Sequence, residues 1–501
     1  MNVKPGRVLS AVVGICVMLG GAAFCQAAEP GAEKPQAKKP AAKPAPKASA
    51  LKPAKGEKPG TAADGTVRRE AGYRGIWFTL GQFSEHGDKY SGGLGTYTAK
   101  HVPLAVYAPK ADKTFFVYGG CWQEKRYLLA MISYFDHKTG QVPRPVVVHD
   151  KGGVDDPHDN PSLCIDEKGM IWVFVSGRGR HRPGYVYRSL KPHDIDGFEQ
   201  VAMRELTYPQ PKWIQGEGFL HLFTKYTRGR ELYWSTSRDG RDWAADRKLA
   251  GMGGHYQTSF QQGRRVITAF NMHPGGNVDK RTNLYFAQSD DLGKTWRTAG
   301  GQELTLPLTT PDCPALVRDF AAEKRLVYMK DINLDAQGRP VILVVTSADY
   351  RPGPGGEPRV WTIVHWDGAK WLFHEAARSD HNYDMGSLYI EGETWRIIGP
   401  TEPGPQPGGV GGEMVAHVSR DLGKTWTKER QITRSSPRNH GYARRPVNAH
   451  DDFYAFWADG DPGKMSPSHL YFTNRSGDQV WELPYSMDAD FAKPRPLYER
   501  K

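Results

Sequence analysis

The stretch SDDLGKTW at residues 289–296 returns almost unchanged as SRDLGKTW at 419–426, and a shortened relative, SRDGRDW, occupies 237–243. Each position of the shared pattern S-x-D-x-G-x-T-W suits the turn of a β-hairpin. The Asp carboxylate accepts backbone N–H groups, the Gly permits positive φ, and the Trp packs beneath the turn. The three copies start 52 and 130 residues apart, and 130 is twice 65. One unit therefore recurs every 50–65 residues, with one copy of the turn missing. Short β-rich runs separated by Gly, Pro and Asp fill the intervals, at 114–118, 128–134, 170–175, 219–223, 232–236, 266–270, 341–346, 360–365 and 453–457. No long amphipathic helix interrupts them. Many short strands with regular turns define an all-β fold. About 430 residues at this period make seven units, so the pattern predicts a single seven-bladed β-propeller, with blade six or so lacking the turn motif.

The remaining sequence is an address and a tether. Lys4 and Arg7 precede an apolar run at 8–24, and Cys25 and Ala27 stand at the −3 and −1 positions of a cleavage site, which marks 1–27 as a secretory signal peptide. A lipidated Cys25 is disfavoured by the bulky Phe24 before it. Residues 28–70 mix Ala, Lys and Pro with almost no large apolar side chain, so they predict a disordered linker, and the propeller is expected over 71–501. The division also explains the charge. The chain carries +12 overall, but residues 1–70 hold 12 Lys/Arg against 5 Asp/Glu and account for +7. The +5 left on the propeller is too diffuse for nucleic-acid binding by phosphate neutralisation. No stretch beyond the first thirty residues approaches the roughly 18 apolar residues of a membrane span. The expectation is an exported, monomeric protein, periplasmic or extracellular. Three cysteines remain after the signal peptide, Cys121, Cys164 and Cys313, which excludes a dense disulfide framework.

Polar residues gather in unusual loops: KYSGGLGTY at 89–97 leading to His101, YFDH at 134–137, PHDNP at 157–161, TYPQP at 207–211, KYTRGR at 225–230, and RNH at 438–440 with RRPVNAH at 444–450. Together with YRGIWF, HVPLAVY, AFNMHPGG and RPVNAHDDFYAFWADG, these loops resemble the BNR-repeat family that contains bacterial ulvan lyases, whose Asp-box is the turn motif described above. The likeness runs over residues 72–475. It implies a secreted seven-bladed propeller acting on acidic, rhamnose-containing polysaccharides. A related propeller of the same group is an α-L-rhamnosidase acting on rhamnose linked to glucuronate.

A lyase that cuts beside a uronic acid must neutralise the carboxylate, remove the C5 proton with a base, and protonate the leaving O4. His, Tyr, Arg and Lys suit these tasks, and no cofactor is required. The ulvan lyases use a His pair, a Tyr and an Arg. The resemblance carries these roles onto His137 and His158, 21 residues apart, and onto Tyr208 as acid or base. Arg228 and Arg230, or Lys225, are candidates for the carboxylate clamp, the arginines preferred because a guanidinium grips a carboxylate bidentately. His101 would serve a hydrolase of the rhamnosidase kind. His255, His273 and Cys313, with His440 or His450 as a fourth ligand, are candidates for a structural zinc such as the ulvan lyases hold away from the chemistry. Asp155-Asp156 and Asp451-Asp452 make poor glycosidase pairs, because adjacent strand residues point to opposite faces. The Arg triad and Tyr/Glu pair of sialidases cannot be placed. The expected function is thus an ulvan-lyase-like β-eliminating enzyme; the alternatives are a rhamnosidase-like hydrolase and a non-catalytic carbohydrate-binding propeller.

Overall fold

The computed structural model describes residues 51–94 and 100–499; the expected signal peptide, the 28–50 part of the expected linker and positions 95–99 of the glycine-rich loop lie outside them. Seven antiparallel sheets of four or five strands follow one another along the chain. Within a blade the strands run outward in sequence order, as in the third: Thr207–Ile214, Gly218–Tyr226, Arg230–Ser237 and Arg247–Ala250. The first strands of successive blades touch one another and so surround the axis. They are Ala105–Ala108, Pro161–Ile165, Thr207–Ile214, Gln257–Gln262, Leu326–Leu334, Ser387–Glu391 and Asn439–Arg444. Their N-terminal ends form one mouth of the axial channel and their C-terminal ends the other. This is the seven-bladed β-propeller that the repeat period predicts.

Blades pack face to face, so both faces of the middle strands are covered, and these strands read as apolar runs rather than alternating ones. Ile171–Val175 is buried at every residue. Trp172, Trp234, Trp361, Trp395 and Trp457 are each buried to within 2% in these faces, and each contributes on the order of 2–3 kcal/mol of hydrophobic burial. The ring closes through a segment before the first blade. Tyr73 N–H donates to Pro484 O (2.8 Å), Gly75 N–H to Ser468 O (3.0 Å), and Ile76 N–H to Gly119 O (2.9 Å), which joins the seventh blade to the first.

The Asp-boxes sit between the third and fourth strands of blades three, four and six. In the central copy Ser289 Oγ donates to Asp291 Oδ1 (2.9 Å), and Asp291 accepts Thr295 N–H (3.0 Å) and Thr295 Oγ1–H (2.7 Å). Gly293 takes φ 74°, and Trp296 packs edge-on against Trp234 at 5.6 Å. The blade skipped between the second and third copies is therefore the fifth, not the sixth. Its third and fourth strands, Arg359–Trp366 and Trp371–Ser379, are joined by four residues closed on Asp367, too few for the eight-residue box.

The expected linker boundary at residue 70 also needs correction. Lys58–Pro59 adds a fifth strand to the first blade by pairing with His149 and Asp150. Glu57 Oε1 lies 2.5 Å from Lys151 Nζ with both side chains fully buried. Composition had concealed a single buried acid in a Lys/Pro-rich stretch. No helix among the described residues is long and apolar enough to cross a membrane.

Candidate active site

The mouth at the N-terminal ends of the axial strands gathers titratable side chains from several blades. Asp156, Pro157 and His158 enter the second blade. Asp156 caps the single 3-10 turn Pro157–Asp159 by accepting His158 N–H (3.0 Å), and its carboxylate also meets His158 Nδ1. Holding the proton on Nδ1 leaves the lone pair on Nε2. Burial lowers the basicity of His158, with Asp156 opposing the shift. Burial alone would raise the Asp156 pKa, but His158 and Arg182 outweigh it and drive the carboxyl well below its usual range. Arg178 and Arg182 complete its neutralisation at 2.9 and 2.6 Å.

Beneath this turn lies an ion network whose Glu57, Lys151 and Asp159 side chains are fully buried. Asp159 meets Lys151 (3.1 Å) and Arg182 (2.8 Å), and Lys151 in turn meets Glu57. The position of His158 therefore depends on an acid from the segment that precedes the propeller.

Tyr208 enters the third blade with φ 53°, a conformation uncommon for a bulky residue. The register between Thr207 and Gln210 shifts there, so the ring turns toward the axis instead of into the blade. Thr207 Oγ1–H donates to Gly177 O (2.7 Å) and Tyr208 N–H to Ser176 Oγ (3.1 Å), which hold the bulge. The Tyr208 ring centroid lies 5.2 Å from His158 and 5.2 Å from His101. His101 Nε2 bonds the carbonyl of His158 at 3.1 Å, and burial lowers its pKa to about 3, so it stays neutral.

The fourth blade extends the cluster. Tyr256 lies 5.7 Å from Tyr208 and 4.8 Å from His273. Arg230 Nη1 is 3.2 Å from His273 Nδ1, with its guanidinium 5.4 Å from the Tyr256 ring. Arg281 donates to the Tyr383 hydroxyl (2.6 Å) and stands 5.0 and 4.6 Å from the rings of Tyr256 and Tyr328. His158, Tyr208, His101 and Arg230 thus come together at one mouth. Arg228 is exposed at a hairpin tip of the same mouth. Lys225 is engaged by Asp246 (3.1 Å) and Glu205 (3.6 Å), so its charge is compensated within the blade.

His137 does not join them. It follows the third strand of its blade, Leu128–Asp136, and that strand ends at the opposite mouth. There it bonds Thr114 Oγ1 (2.8 Å) and faces His450, ring centroids 3.8 Å apart. The 21 residues to His158 contain one further crossing of the blade, which carries the chain from one mouth to the other.

The zinc ligand set does not assemble either. His255 engages both ring nitrogens, with Asn271 O (2.8 Å) and Met252 N–H (3.0 Å), and His440 does the same with Ser436 Oγ (2.8 Å) and Trp457 Nε1–H (3.0 Å). His273 belongs to the Arg230–Tyr256 cluster. Cys313 is half-buried against the apolar core shared by blades three and four. Among the described residues, the one group of His, Cys, Asp or Glu whose ligand atoms lie within 4.8 Å of one another is His137, His450 and Asp452, at the far mouth. The residues therefore do not fit the expected ion.

Sequence reasoning missed Asp156, Arg281 and Tyr256 as site residues. Asp156 had a signal, being two residues before His158 in a proline-fixed loop. Arg281 and Tyr256 had none, since only the blade geometry brings them to the axis.

The fold and its loop cluster define a BNR-type propeller, and residues 117–383, more than half of the chain, match the BNR repeat-containing family. The chain belongs to that family. Among characterised proteins it is similar to an ulvan lyase of Pseudoalteromonas sp. (strain PLSV), 23% identical over 285 residues that make up 48% of this chain and 58% of that protein. An ulvan lyase of Nonlabens ulvanivorans is 23% identical over 300 residues, 49% and 61% of the two chains. The chain thus spans about three-fifths of the length of these curated relatives. A solved PL25 ulvan lyase shares the fold, with a TM-score of 0.65 at 17% identity over 81% of this chain and 96% of that one. A second structure of a PL25 ulvan lyase, bound to -[GlcA(1-4)Rha3S]-, superposes with a TM-score of 0.64 at 17% identity, covering the same 81% and 96%.

Proposed function

We propose that this chain is an exported polysaccharide lyase that cleaves an acidic rhamnose–uronate polymer by β-elimination. The observation that carries the reading is the contact of His158 with Tyr208, flanked by His101 on one side and Arg230 on the other, at one mouth of the channel. The ulvan lyases among its relatives, and the uronate–rhamnose ligand of one solved structure, support the substrate class.

In this reading Arg230 meets the uronate carboxylate, and the charge it withdraws makes the C5 proton acidic. His158 Nε2 takes that proton, the C4–C5 double bond forms, and the C4–O4 bond breaks. The Tyr208 hydroxyl gives its proton to the departing O4. Asp156 keeps the His158 lone pair directed at the substrate. His101, neutral and hydrogen-bonded to the His158 carbonyl, holds the turn and the Tyr208 ring.

The test is product chemistry. Incubation with ulvan is expected to raise absorbance near ~235 nm from the unsaturated uronate and to yield unsaturated oligosaccharides by mass spectrometry. New reducing ends without that chromophore would replace the lyase reading with a hydrolase. Polymer binding with neither product would leave a carbohydrate-binding propeller.

A further inference from the structure

The opposite mouth holds a cavity of about 880 Å³ between the axial strands, and its interior is electrically unbalanced. Lys212, Arg444 and Arg445 line it with Asp331 as their one inner acid. At the rim Lys110 and Arg264 are matched by Asp166 and Glu167, so the excess of positive charge is internal. Arg444 is 3% exposed, and its Nε and Nη2 have no hydrogen-bond partner among the described residues. Burial lowers its pKa only to about 10, so it stays charged at neutral pH. Arg445 Nε also lacks a hydrogen-bond partner, lies 3.7 Å from Asp331, and stands over the ring of Phe260 at 5.0 Å. Lys212 is 5% exposed and spends one N–H on Ser259 O (3.3 Å).

Asp331 offsets one of these three positive charges and leaves the other two. Its two oxygens already accept Ile332 N–H (2.8 Å) and Leu388 N–H (2.9 Å). Buried cations without a counter-charge are expensive, and a guanidinium with two unused donors is shaped for an oxyanion. We infer that this cavity is an oxyanion-binding site, distinct from the candidate active site, that takes a carboxylate or sulfate group on Arg444, Arg445 and Lys212. The volume is sufficient for the group to arrive free or attached to a sugar. The inference does not depend on the lyase reading.

Thermal unfolding of the whole protein at constant ionic strength tests it. The probes are sodium sulfate, sodium glucuronate and neutral methyl rhamnoside, applied to the wild type, Arg444→Gln and Arg445→Met. A saturable rise of roughly 3 °C with sulfate or glucuronate is expected in the wild type, and its loss in both variants. A shift with sulfate alone assigns a free ion; a shift with glucuronate as well assigns an oxyanion carried on a sugar. Arg445 is partly exposed, so the Arg445→Met protein keeps the test valid if Arg444→Gln does not fold. Equal shifts in the wild type and the variants, or equal shifts with methyl rhamnoside, would overturn the inference, because general salt or solute effects act on all three proteins alike.

Discussion

The two mouths of the channel are built from opposite ends of the same seven strands and carry opposite chemistries. At the N-terminal ends the polar groups are paired: His158 with Asp156, Asp156 with Arg178 and Arg182, Arg230 with His273, Arg281 with Tyr383. At the C-terminal ends a cavity of about 880 Å³ is lined by cations whose donors are partly unmatched among the described residues. Proton transfer needs side chains held at contact distance, and the first mouth sets a carboxylate-backed histidine against a tyrosine. The comparison teaches that in this propeller capacity and chemistry lie on different faces.

The largest expected effect breaks the comparison directly. His158→Ala removes the proton acceptor and should lower turnover of ulvan by roughly 10²- to 10⁴-fold, followed at the unsaturated-uronate absorbance. Turnover within threefold of wild type would move the chemistry away from this mouth.

How much of this was legible depended on how local each signal is. The Asp-box is an eight-residue turn whose bonds are all internal, so two copies sufficed to identify the fold. His158 and Tyr208 stood out because prolines bracket the first and follow the second, and their roles begin in the same few residues. His137 was misplaced because the mouth that a turn faces depends on the number of strands crossed, and composition does not count crossings. Arg281 and Tyr256 reach the axis only through packing of the fourth blade. Glu57 was hidden for a different reason: one buried acid leaves no trace in the average composition of an Ala/Lys/Pro-rich stretch.

Glu57 sharpens the comparison next. Its carboxylate, Lys151 and Asp159 form a fully buried network under His158. Removing one member strands the others without solvent. Glu57→Ala should therefore destabilise the fold by about 3 kcal/mol, seen as a lower urea midpoint. It should also lower kcat more than it raises KM, because the turn that carries His158 loses its support. An unchanged midpoint would show that the segment before the propeller contributes nothing to this mouth.

Acid should weaken the paired mouth in particular. Burial lowers the pKa of His101 to about 3 and of His255 to about 4, against an ordinary value of 6.5. A histidine whose folded pKa is depressed stabilises the fold above the unfolded pKa and loses that contribution as pH falls. Unfolding should accordingly take up protons below pH 6.5, and Tm should decline steadily from there toward pH 4. His101→Gln should flatten that decline, and Tm measured against pH in both proteins decides it. A wild-type Tm that holds from pH 6.5 to 4 would mean that these histidines are not neutral and buried in solution.

The smallest expected effect is the most discriminating. The family resemblance proposed His137 alongside His158, and its ring sits against His450 at the far mouth. His137→Ala deletes a half-buried ring and its bond to Thr114, a change confined to the edge of the first blade. Turnover should stay within about twofold of wild type, since no proton in the proposed reaction passes within reach of it. A loss comparable to that of His158→Ala would require substrate to contact both mouths at once, and the separation of capacity from chemistry would fail. An unchanged rate beside an inactive His158→Ala protein would assign the chemistry to the mouth that His158 faces.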